Sequence, residues 1–329
     1  MTTHGDPEPD PDSSEPRHER TLDRALVHKA AVSEVFVTDV RPTGERTVRT
    51  AVQLPLVHAY YNDHVQSPAT HDALLLLEAG RQAAIAGTHA HMRFDHDTTM
   101  IVDRFTFALD DLKALVIGPQ PGSVLIDTEY IGEPNRAGRY RKGRVAQRYL
   151  VGGEPVGEHV MDVLFLRHRE NDALRRAQRG TPAPLTSDYE DARPGDDPRR
   201  VAPERVGRVH PLNVVLAGEL VDEAGVSAEF TPSFRNRSLF DHVYDHLPAM
   251  TLVEGARQLA LLSLDAPRTT HTVGIAAHFA RFAELDDTVR LSAPRPGPPD
   301  EEGRVTLPVT FHQNGAEIAS VTMTMGSLL

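Results

Sequence analysis

The chain has 329 residues, a formal net charge of −12 at pH 7, a 40% hydrophobic fraction and no cysteine. That length has room for two domains of ordinary size, and the acidity argues against a nucleic-acid partner held by phosphate neutralisation. The lack of cysteine excludes disulfides, thiolate nucleophiles and cysteine zinc sites and points to a reducing cytoplasm, while no apolar run approaches the ~20 residues of a membrane span.

Residues 1–22 are rich in Pro, Asp, Glu and His, with no apolar core of a secretory signal, and read as a disordered tail. A first domain, 23–169, opens with strand-like text at 35–40 and 46–54. A loop carrying Tyr61, Asn62 and His64 follows, then an apolar helical run with Glu78, Arg81 and Gln82. A strand-like line begins at Phe105. Two long strands, 144–151 and 154–166, close the domain across Gly152-Gly153, a dipeptide suited to a two-residue hairpin. Residues 170–205 form a charged, Pro-rich linker with room for one short helix.

A second domain, 206–329, repeats the order. Strands are expected at 214–216 and 226–230, then a loop rich in Asp and His. The second apolar helix carries Glu254, Arg257 and Gln258. A strand-like line begins at Phe279, a Pro-rich loop spans 292–303, and a final hairpin turns at Asn314-Gly315. The tetrad Glu-x-x-Arg-Gln thus occurs twice, and an internal repeat decides architecture before any local reading. Both helices are apolar on every face, which marks buried helices. The expected fold is α+β, a tandem (double) hotdog. Each half is a curved antiparallel sheet wrapped around one long buried helix, with clefts where the halves meet.

Several passages carry a family resemblance. They are Val27-His28-Lys29, Glu34-Val35-Phe36-Val37-Thr38-Asp39, and His71-Asp72 ahead of Glu78, Arg81 and Gln82. The second half adds Asn236-Arg237-Ser238-Leu239-Phe240-Asp241-His242, then Asp245-His246-Leu247-Pro248-Ala249-Met250 ahead of Glu254, Arg257 and Gln258. The chain resembles the A-factor biosynthesis family of double-hotdog γ-butyrolactone and butenolide autoregulator synthases. The resemblance implies an acyltransferase without a cofactor. It would move a β-ketoacyl group from an acyl carrier protein to the hydroxyl of dihydroxyacetone phosphate, with a cyclising condensation afterwards. It implies functional roles for Glu78, Glu254 and Arg257. The chain departs from the family at Ala249, where the usual residue is Gly and an added Cβ limits backbone approach.

Glu254 and Arg257, at i and i+3, share a helix face. The bland reading is an ion pair on a solvated stripe. The functional reading is a general base whose burial pushes its pKa up, beside a guanidinium that grips the triose phosphate or positions the base. Glu78 and Arg81 are either a second catalytic pair or a half kept for structure. The helix start at Ala249 and Met250 presents amides to a thioester oxyanion. His242 and His246, with Asp241 and Asp245, are read as substrate contacts rather than metal ligands. Tyr61, His64, His71 and Asp72 are expected to line a cleft. Gln82 and Gln258 read as buried hydrogen-bond partners, and His89, His91 and His96 with Asp95 and Asp97 as a solvated loop. The basic run Arg136, Arg139, Arg141, Lys142 and Arg144 is a solvated hairpin face or a dock for an acidic carrier. The alternatives are a hotdog thioesterase or dehydratase, or a non-catalytic acyl-binding protein, with monomer and homodimer both open. No nucleic acid, membrane or metal is expected.

Overall fold

In the computed structural model, residues 15–96, 98–136, 140–189 and 197–328 are described. Alternating apolar and polar residues form the strands of the first half: β1 (Val37–Gly44), β2 (Thr47–Leu54), β3 (Thr99–Leu109), β4 (Gly122–Ile131), β5 (Lys142–Val151) and β6 (Glu154–Leu166). The second half contributes β7 (Leu216–Val221), β8 (Gly225–Phe230), β9 (His271–Phe279), β10 (Val289–Pro294), β11 (Val305–Gln313) and β12 (Ala316–Gly326). The strands make one antiparallel sheet in the order β1-β2-β4-β5-β6-β3-β9-β12-β11-β10-β8-β7. Read from either edge, the two halves have the same order. They meet at β3 and β9, where Phe105 pairs with Ala277 and Phe107 with Ile275.

Each half wraps one helix, α1 (Ala73–Ala90) and α3 (Ala249–Leu264). Both are buried along nearly their whole length, as their all-round apolar character requires. A glycine brings each against the sheet. A Cβ on Gly80 would lie 1.9 Å from the Tyr149 hydroxyl, and one on Gly255 would lie 2.7 Å from the Phe230 ring. Both expected hairpins form, with Gly152, Gly153, Asn314 and Gly315 all at positive φ, as such turns demand.

Between the halves lies α2 (His168–Arg179), ten of whose twelve residues fall within the expected linker. It is docked on the second half. Buried Arg175 pairs with Glu284 at 2.8 Å and Asp245 at 2.8 Å, and Arg179 pairs with Glu284 and Asp286. Of the expected tail, Arg17 and Leu22 donate backbone hydrogen bonds to the Asp39 carboxylate and the Val37 carbonyl; residues 1–14 lie outside the described residues.

The expectation of a solvated histidine loop holds at Asp95 and His96, which are exposed, and is corrected at His89. His89 lies inside α1 and is buried, its Nε2 2.8 Å from His28 Nε2 and its Nδ1 3.0 Å from the Phe94 carbonyl. The helix runs on through His89 to Ala90, and His28, ahead of β1, gives the His89 ring a partner. Asp97 and Arg139 lie outside the described residues. Arg144 pairs with Asp162 across the β5–β6 hairpin, and Arg141 with Glu170 of α2.

Candidate active site

The site begins with a device built twice. Ahead of the first strand of each half, a short 3-10 turn ends on a left-handed residue, His28 in one and Gly207 in the other. The next residue is a cation, Lys29 or Arg208. Lys29 Nζ lies 2.9 Å from Glu78 Oε1, and Arg208 reaches Glu254 Oε1 through Nη2 at 2.8 Å and Nε at 3.0 Å. The glutamine of each tetrad ties the helix to that strand. Gln82 accepts from the Phe36 amide and donates to the Glu34 carbonyl and to Glu78; Gln258 accepts from the Val215 amide and donates to the Asn213 carbonyl and to Glu254. Both glutamines are the buried partners the sequence suggested.

The loop before each helix crosses to the other half. In the first cleft, the Tyr60 hydroxyl donates to Glu254 Oε2 at 2.9 Å, and Asp72 accepts from Arg257 Nη1 at 2.8 Å. Asp72 also caps α1 by accepting from the Leu74 amide. Arg257 thus joins Glu254 on its own helix, at 2.6 Å, to the head of the opposite helix. Arg208 lies over the Tyr60 ring, 4.2 Å from its centroid, and donates to the Tyr60 and Asp63 carbonyls. In the second cleft, loop residues 231–248 reach back. Asp241 accepts from the Ala30 amide, and the Ser238 hydroxyl donates to Glu34. Glu34 in turn lies 3.3 Å from His58 Nε2.

Both tetrad carboxylates are closely held. Glu254 is fully buried, but its oxygens already accept from both Arg208 nitrogens, Arg257, Tyr60 and Gln258. A carboxylate has about four lone-pair positions, and these donors occupy them. At Glu78 burial alone would raise the carboxyl pKa, but Arg81 and Lys29 outweigh it and hold the group well below the usual carboxylate range. Each glutamate has a second cation that the helix text does not contain, Lys29 for Glu78 and Arg208 for Glu254.

The two clefts differ in their cations. The Arg257 side chain is 6% exposed and Arg81 is 30% exposed. They differ also at the helix starts: Asp72 caps α1, while Pro248 gives α3 no side-chain cap, so the first turn at Ala249 and Met250 lacks that carboxylate. Tyr61 is buried against Phe36 and His58. His242 stacks on Tyr244, with centroids 4.1 Å apart. His246 is directed elsewhere. Its Nδ1 lies 2.6 Å from Asp245, which Arg175 of α2 holds, and its ring meets Phe282 edge-on.

His64, His71, Asp72 and Arg257 gather in the first cleft with His271, which no sequence motif had marked. Burial lowers the pKa of His64, His71 and His271. At Asp72 burial opposes ionisation, but Arg257 and Arg208 hold the carboxyl below its usual range. The residues missed from sequence are Lys29 as a glutamate partner, Arg208, Tyr60 and His271. A signal existed for the first two: Lys29 and Arg208 each stand five residues before the position, Glu34 or Asn213, whose carbonyl the tetrad glutamine binds. Among the described residues, no group of three or more histidine, aspartate or glutamate side chains is placed to hold a metal ion, and no helix is long and apolar enough to cross a membrane.

A family model described as an A-factor biosynthesis hotdog domain matches residues 11–167 and 190–328. The chain belongs to the A-factor biosynthesis hotdog family. Relatives in this family include a 2-oxo-3-(phosphooxy)propyl 3-oxoalkanoate synthase from Streptomyces virginiae, 29% identical over 91% of this chain and 96% of that protein. Another, of the same name, comes from Streptomyces griseus, at 27% over 91% and 93%. Among solved structures, the 12:0-ACP thioesterase from Umbellularia californica shares the fold, with TM-score 0.50 and 12% identity over 87% of this chain and 99% of that one. The docked helix α2 falls between the two stretches matched by the hotdog family.

Proposed function

We propose that this A-factor-family protein esterifies the hydroxyl of dihydroxyacetone phosphate with a 3-oxoacyl group carried as a thioester on an acyl carrier protein. A ring-closing condensation of the ester follows. The observation that carries the reading is Arg257, a buried guanidinium anchored from both halves, in a chain whose relatives over nearly their whole length are named for making that ester. A fixed cation in a dry seam stabilises charge that develops on an acyl carbonyl far better than a solvated one. In this reading Glu254 sets the orientation of Arg257 and Arg208 instead of taking the proton. The uncapped amides at Ala249 and Met250 offer a second oxyanion donor set, with His242 and Tyr61 lining the approach. We place the reaction in the cytoplasm, where a chain without cysteine fits.

The test is a thiol-release assay with a β-ketoacyl thioester, with and without dihydroxyacetone phosphate, and mass analysis of the product. The protein contributes no thiol of its own. Release that requires the triose, with a new phosphorylated ester, supports the transfer. Release that ignores the triose would identify a hydrolase, and retention of the thioester without release a binding protein.

A further inference from the structure

We propose that His64 is the acid–base group of the first cleft, and that His71 and His271 complete with it an imidazole-lined pocket for the acceptor's uncharged hydroxyl and ketone end. The inference rests on the transfer reading and assigns it a proton carrier.

Three polar groups of the first cleft are already committed. Glu254 is saturated by donors, Asp72 is committed to Arg257 and the Leu74 amide, and the Tyr60 hydroxyl donates to Glu254. The imidazoles are different. Among the described residues, both ring nitrogens of His64, Nδ1 of His71 and Nε2 of His271 are buried without a hydrogen-bond partner, and so is Nε of Arg257. His71, His271 and Arg257 are themselves more than nine-tenths buried. One such atom is a defect; unpaired atoms on four neighbouring residues call for a partner with donors and acceptors of its own, because unpaired buried polar atoms are costly. The residues do share one place. Arg208 donates to the Asp63 carbonyl beside His64, Gln66 donates to the Thr270 carbonyl beside His271, and Thr70, the neighbour of His71, lies 3.3 Å from the His271 ring. The pocket is also held in shape. His271 Nδ1 lies 3.3 Å from the Thr70 hydroxyl, and Gly122 leaves room for His71, since a Cβ there would come 2.7 Å from Nε2.

Burial keeps these rings neutral near pH 7, the state that accepts a proton. Neutral rings next to a balanced set of carboxylates and guanidiniums suit a hydroxyl or ketone, not a phosphate dianion. The step balances without a further reagent. The acceptor oxygen bonds to the thioester carbonyl carbon while a ring nitrogen of His64 takes the hydroxyl proton. When the C–S bond breaks, the imidazolium returns that proton to the departing thiolate. Ester and thiol are the products. The unpaired Arg257 Nε–H is available to the carbonyl oxygen during the step.

The test compares the intact protein with His64→Ala and His64→Gln, using a β-ketoacyl N-acetylcysteamine thioester and dihydroxyacetone phosphate. Thiol release in both variants should fall by about 10²–10⁴-fold, the usual contribution of general acid–base catalysis, and added imidazole should restore part of it in His64→Ala but not in His64→Gln. A His64→Ala rate within about fivefold of wild type, or a loss that imidazole leaves untouched, overturns the assignment. A wild type that releases no thiol in the presence of the triose overturns the transfer reading and this one with it; an active wild type with an active variant overturns this one alone. If His64→Ala does not fold, nitrogen NMR of the imidazole rings in the intact protein decides. The His64 signals should move when dihydroxyacetone phosphate is added, and unchanged signals reject the proposal.

Discussion

Arg208 has one of the largest side chains in the core to be completely buried. Its guanidinium is satisfied on every side, by Glu254, by two carbonyls and by the Tyr60 ring. Removing one partner of a buried ion pair leaves the other charge uncompensated, which is the costly half of such a bargain. Arg208→Ala should therefore destabilise the protein by about 3–5 kcal/mol in denaturant unfolding, and Arg208→Lys by less. A loss under about 1 kcal/mol for Arg208→Ala would mean that water reaches Glu254. Glu78 gives a prediction of opposite chemistry. Its folded pKa lies well below the unfolded value of 4.5, because Arg81 and Lys29 outweigh its burial. The stability it contributes is complete above pH 4.5 and is lost as pH falls below it. Glu78→Gln should flatten the acid arm of the stability curve below pH 4.5, read by unfolding at stepped pH.

At the scale of the element, the helices are set by how closely they approach the sheet. Gly80 and Gly255 occupy equivalent turns of α1 and α3, and each faces an aromatic side chain at less than contact distance for a Cβ. Gly80→Ala must push Tyr149, which is completely buried and cannot swing away. Helix propensity favours alanine by about 1 kcal/mol, but overpacking costs about 1–3 kcal/mol or more, so the net change should be destabilising. Thermal unfolding of Gly80→Ala and Gly255→Ala checks this, and a raised midpoint in both would show that the sheet yields. The helix α2 obeys different rules. Its polar sequence gives no core face, and its place is decided by Arg175, Gln178 and Arg179 converging on Glu284. Arg175→Ala should release it, seen as faster amide exchange across residues 168–179 with little change in β11 and β12.

The whole molecule carries a pH signature through histidines buried neutral. His159 lies on β6 in the middle of the sheet, between the Phe105 and Phe107 rings, with Nδ1 2.8 Å from Gln147. Burial pushes its pKa down from 6.5 to about 3, and burial with His89 and other neighbours pushes His28 to about 4. In that window the unfolded chain binds more protons than the folded one, so stability rises with pH. The contribution of both groups is complete above pH 6.5 and drains away as pH falls toward 3–4. The protein should lose stability steadily between pH 6.5 and 4, and His159→Gln should make that slope shallower in parallel denaturant titrations. An unchanged slope would mean that the ring is not held neutral.

The repeated tetrad, the two hairpin turns and the burial of both helices could all be read from the linear chain, because periodicity, turn chemistry and i, i+3 spacing are local properties. The resemblance to the A-factor family rested on the same short passages. Three features could not be read that way. Each tetrad glutamate meets a cation from ahead of the first strand, some 46–49 positions away in sequence. Arg257 meets Asp72 across the seam, and His271 joins His64 from the other half. A carboxylate's pKa and availability depend on every charge packed around it, and those charges arrive from elements distant in sequence. Local text shows that an ionisable group is buried. Only the folded chain decides whether that group stands alone or in an ion pair, and here both glutamates are paired.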